Sequence, residues 1–409
     1  MARIVMKFGG TSVGDSDRIR RVAHRIKTAV DTGNAVAVVV SAMAGVTNQL
    51  VTHCHQMTCD QTWAESSREH DVVVATGEQV ITGLLALALQ GMGLSARSWQ
   101  GWQIPICTDD IHGSARIESI LSDRLLAGMA EGQIPVVAGF QGMSPKRCIT
   151  TLGRGGSDTS AVALAVALKA DRCDIYTDVE GVYTADPRIV TKARKLDRIT
   201  YEEMLEMTSL GAKVLHTRSV EMAMKHRVVL QVLSSFTDAP GTFVCGEDEI
   251  VERHLLSGIT YSRDDAKITL TKVADQPGIA AAVFGPLADA NVNVDMIVQN
   301  ISEDGKTTDL TFTVSKADLK RAVAVLQRES ALSFDRLIPD SDVVKISVIG
   351  VGMRSHAGVA QTMFKSLAER GINIQVISTS EIKISVLISE EYTELALRAL
   401  HSAYGLDIT

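Results

Sequence analysis

A lysine, two glycines and two hydroxyl side chains follow the first apolar segment of the chain. Residues 4–6 (IVM) are typical of a short strand, and residues 7–13 (KFGGTSV) come directly after it. Glycine allows backbone N–H groups to approach phosphate oxygens closely, and the ammonium group of Lys7 adds a compact positive charge. The segment therefore predicts a phosphate-binding turn. A glycine-rich turn that serves only steric needs is the alternative.

An arginine and several hydroxyl side chains lie in a second glycine-rich segment. Residues 151–160 (TLGRGGSDTS) stand immediately before an apolar helical run over residues 161–168. Helix N-termini bind anions through free N–H groups, and Arg154 can bind a carboxylate through two hydrogen bonds. Asp158 does not suit a simple anion site. We expect it to cap the helix, or to hold a catalytic lysine or a metal ion.

Three further segments carry polar groups at strand ends or at a helix start. Residues 41–47 (SAMAGVT) offer small side chains and hydroxyls, although an ordinary polar turn fits equally well. Glu78 lies in the first turn of a predicted helix, where the helix dipole alone favours a carboxylate. If Glu78 is functional, we expect it to bind the ammonium group of a substrate. Residues 177–188 (TDVEGVYTADPR) and Lys213 suit an adenine, ribose and phosphate surface, yet each of them is individually more often solvated.

The composition argues against several classes of function. A net charge of −7 over 409 residues does not favour a general nucleic-acid surface. No uninterrupted apolar run reaches the roughly 20 residues of a membrane span, and the N-terminus lacks the apolar core of a signal peptide. The six cysteines are scattered, which indicates reduced thiols in a cytoplasmic protein. Cys54 and Cys59, with His53 and His55, fit no usual zinc spacing, so no metal is expected there.

Strand and helix patterns alternate in the first half of the chain. Predicted strands cover residues 4–6, 35–41, 134–140 and 173–178, and predicted helices cover residues 15–32, 77–90, 117–131 and 158–169. This alternation predicts a mainly parallel sheet between two layers of helices, with ligands at the ends of the strands. The sequence lacks the common P-loop, protein-kinase and dinucleotide-binding motifs, so phosphate handling would need another fold.

An internal repeat occupies the last third of the chain. An acidic stretch at residues 246–249 (GEDE) precedes it. Residues 278–284 (GIAAAVF) match residues 358–364 (GVAQTMF), and the Leu-Ala and Asn positions that follow also agree in order. Each copy has roughly the length of a ferredoxin-like βαββαβ unit.

In this order and spacing, the motifs resemble those of the aspartokinases, a branch of the amino-acid kinase family. The resemblance is carried by residues 7–13, 41–43, 76–78, 151–158, 176–178, 182–188 and 211–215, while the repeat resembles two ACT domains, which bind amino-acid effectors. It implies a three-layer αβα sandwich with a mainly parallel sheet over residues 1–245. A linker over residues 246–262 could supply a shared strand, and ferredoxin-like ACT domains would cover residues 263–340 and 341–409.

The resemblance implies an aspartate kinase, a phosphotransferase with a carboxyl group as acceptor. ATP, with Mg²⁺, and L-aspartate would give ADP and 4-phospho-L-aspartate, the first step toward lysine, threonine, methionine and diaminopimelate. Lys7 and Asp158 would be catalytic. The implied substrate-binding residues are Ser41, Thr47, Glu78, Arg154, Gly155, Gly156 and Ser157. The implied nucleotide-binding residues are Lys7, Phe8, Gly9, Gly10, Thr177, Asp178, Tyr183, Thr184, Asp186, Pro187, Arg188 and Lys213. Backbone donors are expected from Gly9, Gly10, Gly155 and Gly156.

The resemblance also implies feedback inhibition, with lysine and threonine as effectors, and a homodimer or larger assembly formed through the ACT domains. The implied effector residues of the first repeat are Asp275, Gln276, Pro277, Gly278, Ile279, Ala280, Asn293, Val294, Asp295 and Gln299. Those of the second repeat are Val359, Ala360, Asn373, Ile374, Ser380 and Glu381. The second repeat lacks the Asp-x-Pro-Gly run of the first, so we expect the two to bind effectors unequally.

Two other functions stay open on the residues alone. The protein could be another amino-acid kinase, or an amino-acid sensor whose kinase half is inactive. The intact motifs around Lys7, Arg154 and Asp158 argue against the sensor.

Overall fold

The computed structural model describes residues 1–58, 67–211, 214–250, 255–301, 306–328, 332–356 and 358–407. The chain divides into two compact units. The first unit comprises Met1–Val182, Lys195–Thr208 and Lys213–Glu252, and the second comprises Tyr183–Arg194, Ser209–Ala212 and Arg253–Thr409. Tyr183–Arg194 therefore belongs to the unit that holds the C-terminal residues. The expected kinase domain over residues 1–245 had included this segment.

The first unit is an α/β unit. Its strands are β1 (Arg3–Phe8), β2 (Ala35–Val40), β3 (Ala96–Trp99), β4 (Ile106–Thr108), β5 (Ile117–Ile120), β6 (Ile134–Ala138), β7 (Gln141–Met143), β8 (Ile149–Thr151), β9 (Arg172–Thr177), β10 (Arg198–Thr200), β11 (Leu230–Ser234) and β12 (Thr242–Cys245). Its helices are α1 (Ser16–Asp31), α2 (Val46–Met57), α3 (Arg68–Val74), α4 (Thr76–Gly91), α5 (Asp123–Ala130), α6 (Gly156–Ala167), α7 (Tyr201–Ser209) and α8 (Thr217–His226).

Eight of these strands form one mainly parallel sheet in the order β10-β12-β11-β9-β1-β2-β6-β3. Among the described strands of this sheet, β11 and β12 pair antiparallel and the other neighbours pair parallel. β2 is apolar throughout, as expected for a strand covered on both faces. Phe8 of β1 packs in one buried cluster with Ile19 and Ile26 of α1 and with Ile81 and Leu85 of α4. The sheet thus holds the end of β1 in a fixed place.

A smaller sheet corrects one expectation. The helix expected over residues 117–131 is wrong in its first part, because residues Ile117–Ile120 form β5 and the helix α5 begins only at Asp123. Ile117 and Ile120 pair antiparallel with Thr108 and Ile106 of β4. β-Branched isoleucine suits a pleated strand, and this pairing with the preceding strand β4 overrides the local helical pattern. The sheet has the order β5-β4-β7-β8, and β8 leads toward α6.

One helical stretch among the described residues, Arg68–Gly91, is long and apolar enough to cross a membrane by length and composition. Half of its most apolar window is buried inside the protein, and that window includes the buried Glu78. A core helix of a globular unit meets the same two criteria, so the stretch is weak evidence for a membrane span.

The second unit contains two antiparallel sheets with helices. Its strands are β13 (Gly258–Ser262), β14 (Asp265–Ala274), β15 (Val294–Ile301), β16 (Thr307–Ser315), β17 (Arg336–Asp340), β18 (Val343–Ile349), β19 (Val376–Thr379) and β20 (Lys383–Ser389). Its helices are α9 (Ile279–Asp289), α10 (Leu319–Arg328), α11 (Val359–Ala368) and α12 (Thr393–Ala403). The sheet orders are β15-β16-β14-β17 and β13-β18-β20-β19.

The two repeats of the second unit are nested. β13 precedes the first repeat in sequence, yet it pairs antiparallel with β18 of the second repeat. The first repeat, from β14 to β17, is therefore inserted between two neighbouring strands of the second. Equivalent glycines, Gly278 and Gly358, begin α9 and α11 with φ of +92° and +99°.

Candidate active site

A buried ion pair joins the first glycine-rich segment to the second. Lys7 lies near the end of β1, and its Nζ is 2.6 Å from Oδ1 of Asp158 in the first turn of α6. Successive strand residues face opposite sides of a sheet, so Lys7 points away from the side that Met6 and Phe8 share. The two atoms form a close ion pair without the alignment of a hydrogen bond. The structure thus brings together the two residues that were expected to be catalytic.

The turn after β1 packs tightly against the loop after β2. The amide N–H of Ala44 donates to the carbonyl of Gly10 at 3.2 Å, and a Cβ on Gly10 would lie 2.7 Å from the carbonyl oxygen of Ala42. Any larger residue at position 10 would force these loops apart. The N–H of Gly9 donates to the carbonyl of Tyr176 at 3.2 Å. The expectation that Gly9 offers its N–H to a phosphate is corrected, since that donor already has an acceptor in β9.

Glu78 is buried beside the same loop. Its Oε1 accepts a hydrogen bond from the N–H of Ala42 at 2.9 Å, and only 2% of the residue is exposed. Its Oε2 finds no hydrogen-bond partner among the residues that the structure describes. Burial raises the pKa of Glu78 to about 7, although the hydrogen bond from Ala42 opposes that shift. A cation brought next to this carboxylate would favour its charged form.

The loop that carries Arg154 is compact. Gly155 has a left-handed φ of +67°, and a Cβ there would lie 2.1 Å from the ring of His216, so the position requires glycine. The N–H of Gly156 donates to the carbonyl of Gly153 at 3.0 Å and stabilises the turn rather than serving a ligand. Gly156 is therefore also corrected as a free backbone donor. Arg154 itself is exposed.

The remaining expected substrate residues lie on neighbouring loops. The N–H of Ser41 donates to the carbonyl of Phe8 at 3.1 Å, which places Ser41 beside the end of β1. Thr47 is in the first turn of α2. Ser157, in the first turn of α6, lies so close to Gly139 that a Cβ there would be 2.9 Å from the Cβ of Ser157. The structure gathers these residues around the ends of β1, β2 and β6.

Ser235 is a candidate residue that the sequence reasoning missed. Its hydroxyl is 2.5 Å from that of Ser12, and its N–H donates to the carbonyl of Thr177 at 2.8 Å. Ser235 follows β11, which runs parallel to β9. The apolar run of β11 ending in two serines was the available signal, because parallel strands present their carboxyl ends at one edge.

The residues expected to bind the nucleotide divide between the units. Thr177 ends β9 and Asp178 follows it in the first unit, while Tyr183, Thr184, Asp186, Pro187 and Arg188 belong to the second. Lys213 lies outside the described residues. The expectation for Thr184 is corrected, because its buried hydroxyl contacts Nε2 of His401 at 2.9 Å and accepts a hydrogen bond from the N–H of Arg194.

Asp186 and Arg188 interact with each other. Their ion pair is 2.7 Å long, and the hydrogen bonds from Arg188 hold the pKa of Asp186 below its usual value. Within the second unit, the hydroxyl of Tyr261 also donates to Asp186, at 3.4 Å.

The expected effector residues lie in corresponding elements of the two repeats. In the first repeat, residues 275–280 form the turn from β14 into α9, and Asn293, Val294 and Gln299 lie at or within β15. In the second repeat, Val359 and Ala360 begin α11, Asn373 and Ile374 precede β19, and Ser380 and Glu381 follow it.

Asp295 is already paired. Its Oδ2 is 2.9 Å from Nζ of Lys345 in β18. Burial alone would raise the pKa of Asp295, but the hydrogen bond and charge of Lys345 outweigh it and lower the pKa.

Sequence comparison identifies similar proteins over the whole chain. A model described as the amino acid kinase family matches residues 2–234, and two models of the ACT domain match residues 267–331 and 346–404. The chain is 54% identical to an aspartate kinase of Stutzerimonas stutzeri over 409 residues, which covers 100% of this chain and 98% of that protein.

Solved structures share the fold. The chain is similar to Escherichia coli aspartokinase III in complex with aspartate and ADP, in its R-state, with a TM-score of 0.82 and 29% identity over 98% of this chain and 99% of that one. The same enzyme in complex with lysine and aspartate, in its T-state, gives a TM-score of 0.78 over the same shares of the two chains, also at 29% identity. The expected kinase fold with two ACT domains is thereby confirmed.

Proposed function

The chain belongs to the amino acid kinase family, and within it to the aspartate kinases, and on this premise we propose that Lys7, Asp158, Glu78 and Arg154 carry the transfer of the γ-phosphoryl group of ATP to the side-chain carboxylate of L-aspartate. The observation that carries the proposal is the buried ion pair of Lys7 and Asp158, which links the two glycine-rich loops. It supports the proposal because it holds the ammonium group of Lys7 beside the first turn of α6, which follows the Arg154 loop.

The acceptor needs no general base. The side-chain carboxylate of aspartate has an ordinary pKa of about 4 and is ionised near neutral pH. The obstacle is electrostatic, since two anions must meet in line and charge must be neutralised in a loose transition state. The protein therefore contributes position and charge rather than proton transfer.

Lys7 meets this requirement. Its ammonium group has three N–H donors, and Asp158 is the partner that fixes its direction. The other donors remain for oxygens of the transferring phosphoryl group. Asp158 acts as the residue that orients this lysine, because its carboxylate on its own would repel a phosphate.

Arg154 and Glu78 suit the two ends of the aspartate zwitterion. The exposed guanidinium of Arg154 can bind the α-carboxylate through two hydrogen bonds. Glu78, whose Oε2 has no hydrogen-bond partner within the described residues, would bind the α-ammonium. That pairing would lower the raised pKa of Glu78 and hold it ionised. Ser41, Thr47 and Ser157 supply hydroxyls around the same loops.

Thr177 and Asp178, at the end of β9, and Ser235 are proposed to contact the nucleotide in the first unit. Tyr183, Asp186, Pro187 and Arg188 are kept as proposed nucleotide residues of the second unit.

The site suits Mg²⁺ only as the partner of ATP. Within the described part of the chain, no group of three or more His, Cys, Asp or Glu side chains could hold a metal ion. Mg²⁺ commonly binds through one or two carboxylates together with substrate phosphates and water. Asp158 is a candidate carboxylate for that arrangement, although its Oδ1 already pairs with Nζ of Lys7 at 2.6 Å. When bound, the ion would neutralise charge on the phosphates.

Regulation by amino acids is the second part of the proposal. Two ACT domains match the second unit, and aspartokinase III of E. coli has been solved in complex with lysine in its T-state. We propose lysine and threonine as feedback inhibitors, ACT-mediated assembly into a homodimer or larger oligomer, a cytoplasmic location, and a place at the first step toward lysine, threonine, methionine and diaminopimelate.

The activity is tested by ATP-dependent hydroxamate formation with aspartate, glutamate and N-acetylglutamate as separate acceptors. We expect turnover with aspartate and little with the other two. Turnover with none of them would contradict the kinase activity. A preference for glutamate or N-acetylglutamate would instead overturn the assignment of the acceptor.

A further inference from the structure

A buried carboxylate that the proposed mechanism does not use lies near the Arg154 loop. Asp71 of α3 is fully buried and contacts Nδ1 of His112 at 2.7 Å. It also accepts hydrogen bonds from the N–H of Gly113 at 3.1 Å and from the hydroxyl of Thr151. His112 and Gly113 lie between β4 and β5, whereas Thr151 ends β8. One carboxylate thereby ties together two segments that are far apart in sequence.

Arg218 of α8 holds the same two segments through different atoms. Its guanidinium donates to the carbonyl of Leu152 at 2.6 Å and to the carbonyl of Ala115 at 2.9 Å. The N–H of Ala115 in turn donates to the carbonyl of Thr151 at 2.9 Å. Leu152 stands two residues before Arg154. Asp71 and Arg218 therefore fix the backbone that leads directly into the Arg154 loop.

The loop is also close to the second segment at Gly153. A Cβ on Gly153 would lie 3.1 Å from the carbonyl oxygen of Gly113. Because that spacing leaves little room, a shift of the segment around Gly113 would be passed to Gly153 and on to Arg154.

We propose that Asp71 and Arg218 are positioning residues that fix the Arg154 loop and thereby set the affinity for the α-carboxylate of the acceptor. The proposal rests on the proposed role of Arg154. Neither residue touches the substrate, and both act through the backbone preceding Arg154. Binding a carboxylate through two parallel hydrogen bonds needs a well-placed guanidinium, so a displaced Arg154 would lose affinity for the α-carboxylate.

The chemistry of the two residues favours geometry over bulk stability as their contribution. Replacing a whole buried ion pair by apolar groups of similar volume is often neutral or stabilising, so a buried, paired carboxylate is weak evidence of a role in stability. Asp71 instead collects donors from two separate segments. The planar guanidinium of Arg218 likewise donates to two carbonyls, one in each segment. The compact ammonium group of a lysine cannot reproduce this geometry.

The test compares Asp71→Asn and Arg218→Lys with a matched control. The control residue is Glu203, which is also buried and whose Oε2 accepts hydrogen bonds from the N–H and hydroxyl of Thr200. Glu203 follows the edge strand β10 and, within the described structure, makes none of the contacts given above for Asp71 and Arg218. In the two test variants we expect KM for aspartate to rise by about tenfold or more, with KM for ATP within about twofold and kcat within about threefold. Glu203→Gln is expected to lower the melting temperature without this selective rise. Equal changes of both KM values, or none, would overturn the proposal.

A double-mutant cycle asks whether Asp71 acts through Arg154. In an Arg154→Ala background, Asp71→Asn is expected to change kcat/KM for aspartate by less than about twofold, because the group that it positions is gone. A loss as large as in the wild-type background would show that Asp71 acts elsewhere.

A milder variant covers the case in which Asp71→Asn does not fold. Thr151→Val keeps the β-branched shape but removes one donor to Asp71, and it should raise KM for aspartate by about threefold. An unchanged KM would contradict the proposal. Failure of the proposed function has a different signature, namely no turnover by the wild type. If Arg154→Ala leaves KM for aspartate unchanged, the positioning proposal falls while the kinase activity stands.

Discussion

Both units contain a buried lysine that pairs with aspartate, and the two sites differ in the number of carboxylates. Lys7 of the first unit is 8% exposed and contacts Asp158 at 2.6 Å. Lys345 of the second unit is 5% exposed and contacts Asp265 and Asp295, each at 2.9 Å. Burial alone would lower the pKa of Lys345, but the two carboxylates outweigh it and raise the pKa.

The difference separates a lysine that can act on a ligand from one that joins two parts of a fold. A single carboxylate balances the charge of Lys7 and leaves N–H donors for further acceptors. Two carboxylates exceed the charge of Lys345 and accept from two of its three N–H donors. Asp265 and Asp295 lie in the first repeat and Lys345 in the second. These two ion pairs therefore connect the nested repeats.

Removing Lys7 should have the largest effect on turnover. Lys7→Ala takes away the charge that faces the transferring phosphoryl group, and we expect kcat to fall by about 10³-fold or more. Aspartyl hydroxamate formation measures this loss, and circular dichroism with thermal melting checks that the protein stays folded. A folded variant with kcat within tenfold of the wild type would refute the role of Lys7.

Removing Lys345 should instead reduce stability. Lys345→Met leaves two carboxylates without their cation, which we expect to cost about 2–4 kcal/mol, the lower end reflecting the half-exposed side chain of Asp295. Uninhibited kcat and both KM values should stay within about twofold. Denaturant unfolding provides the measurement. If Lys345→Met lost turnover while keeping its stability, the contrast between the two lysines would be wrong.

Glu78 extends the comparison to a buried carboxylate for which the described structure shows no ion pair. Its pKa of about 7 exceeds the ordinary 4.5, so the folded protein binds this proton more tightly than the unfolded chain does. Stability is therefore lost as pH rises between these two values, by about 3 kcal/mol in total. Glu78→Gln should be more stable than the wild type by up to that amount at pH 8, and the gain should shrink toward pH 5.

The same variant should bind aspartate more weakly. At pH 8 we expect KM for aspartate to rise about tenfold in Glu78→Gln, because the partner of the α-ammonium is lost. In the wild type, KM for aspartate should rise as pH falls below about 7, whereas the KM of the variant should not follow that trend. Parallel pH profiles of the two proteins would exclude Glu78 from the ammonium site.

The smallest effect concerns the effectors. Glu381→Ala, in the turn after β19, should raise the lysine or threonine concentration needed for half inhibition by about three- to tenfold, with uninhibited turnover within about twofold. Glu391→Ala, at an exposed carboxylate beyond β20, is the control and should leave inhibition unchanged. Equal inhibition of all three proteins would remove Glu381 from the effector site.

Local patterns made part of this molecule predictable from sequence. Lys7 and Asp158 could be found because each lies in a glycine-rich segment beside an apolar strand or helix, where phosphate-type chemistry leaves a short signature. The buried strands β1 and β2 were likewise evident from their apolar runs, and the strand predicted over residues 173–178 corresponds to β9. In these cases the information lies within about ten residues.

Long-range partners explain what was missed. Asp71 pairs with residues 41 and 80 positions away, and Arg218 reaches a carbonyl 103 positions away. Thr184 looked available to a nucleotide, yet its partner His401 is 217 positions along the chain. No local pattern reports such contacts, since only the folded topology creates them.

The nesting of the two repeats has a consequence for the order in which the second unit can form during synthesis. The inner repeat is closed on itself from β14 to β17 and can fold once those residues have been made. The outer repeat must wait, because β13 emerges first and its partner β18 only after the inner repeat. A fragment that starts after Ser262 would leave one edge of β18 without its pairing strand, and such open edges promote aggregation. A soluble regulatory fragment should therefore begin before Gly258.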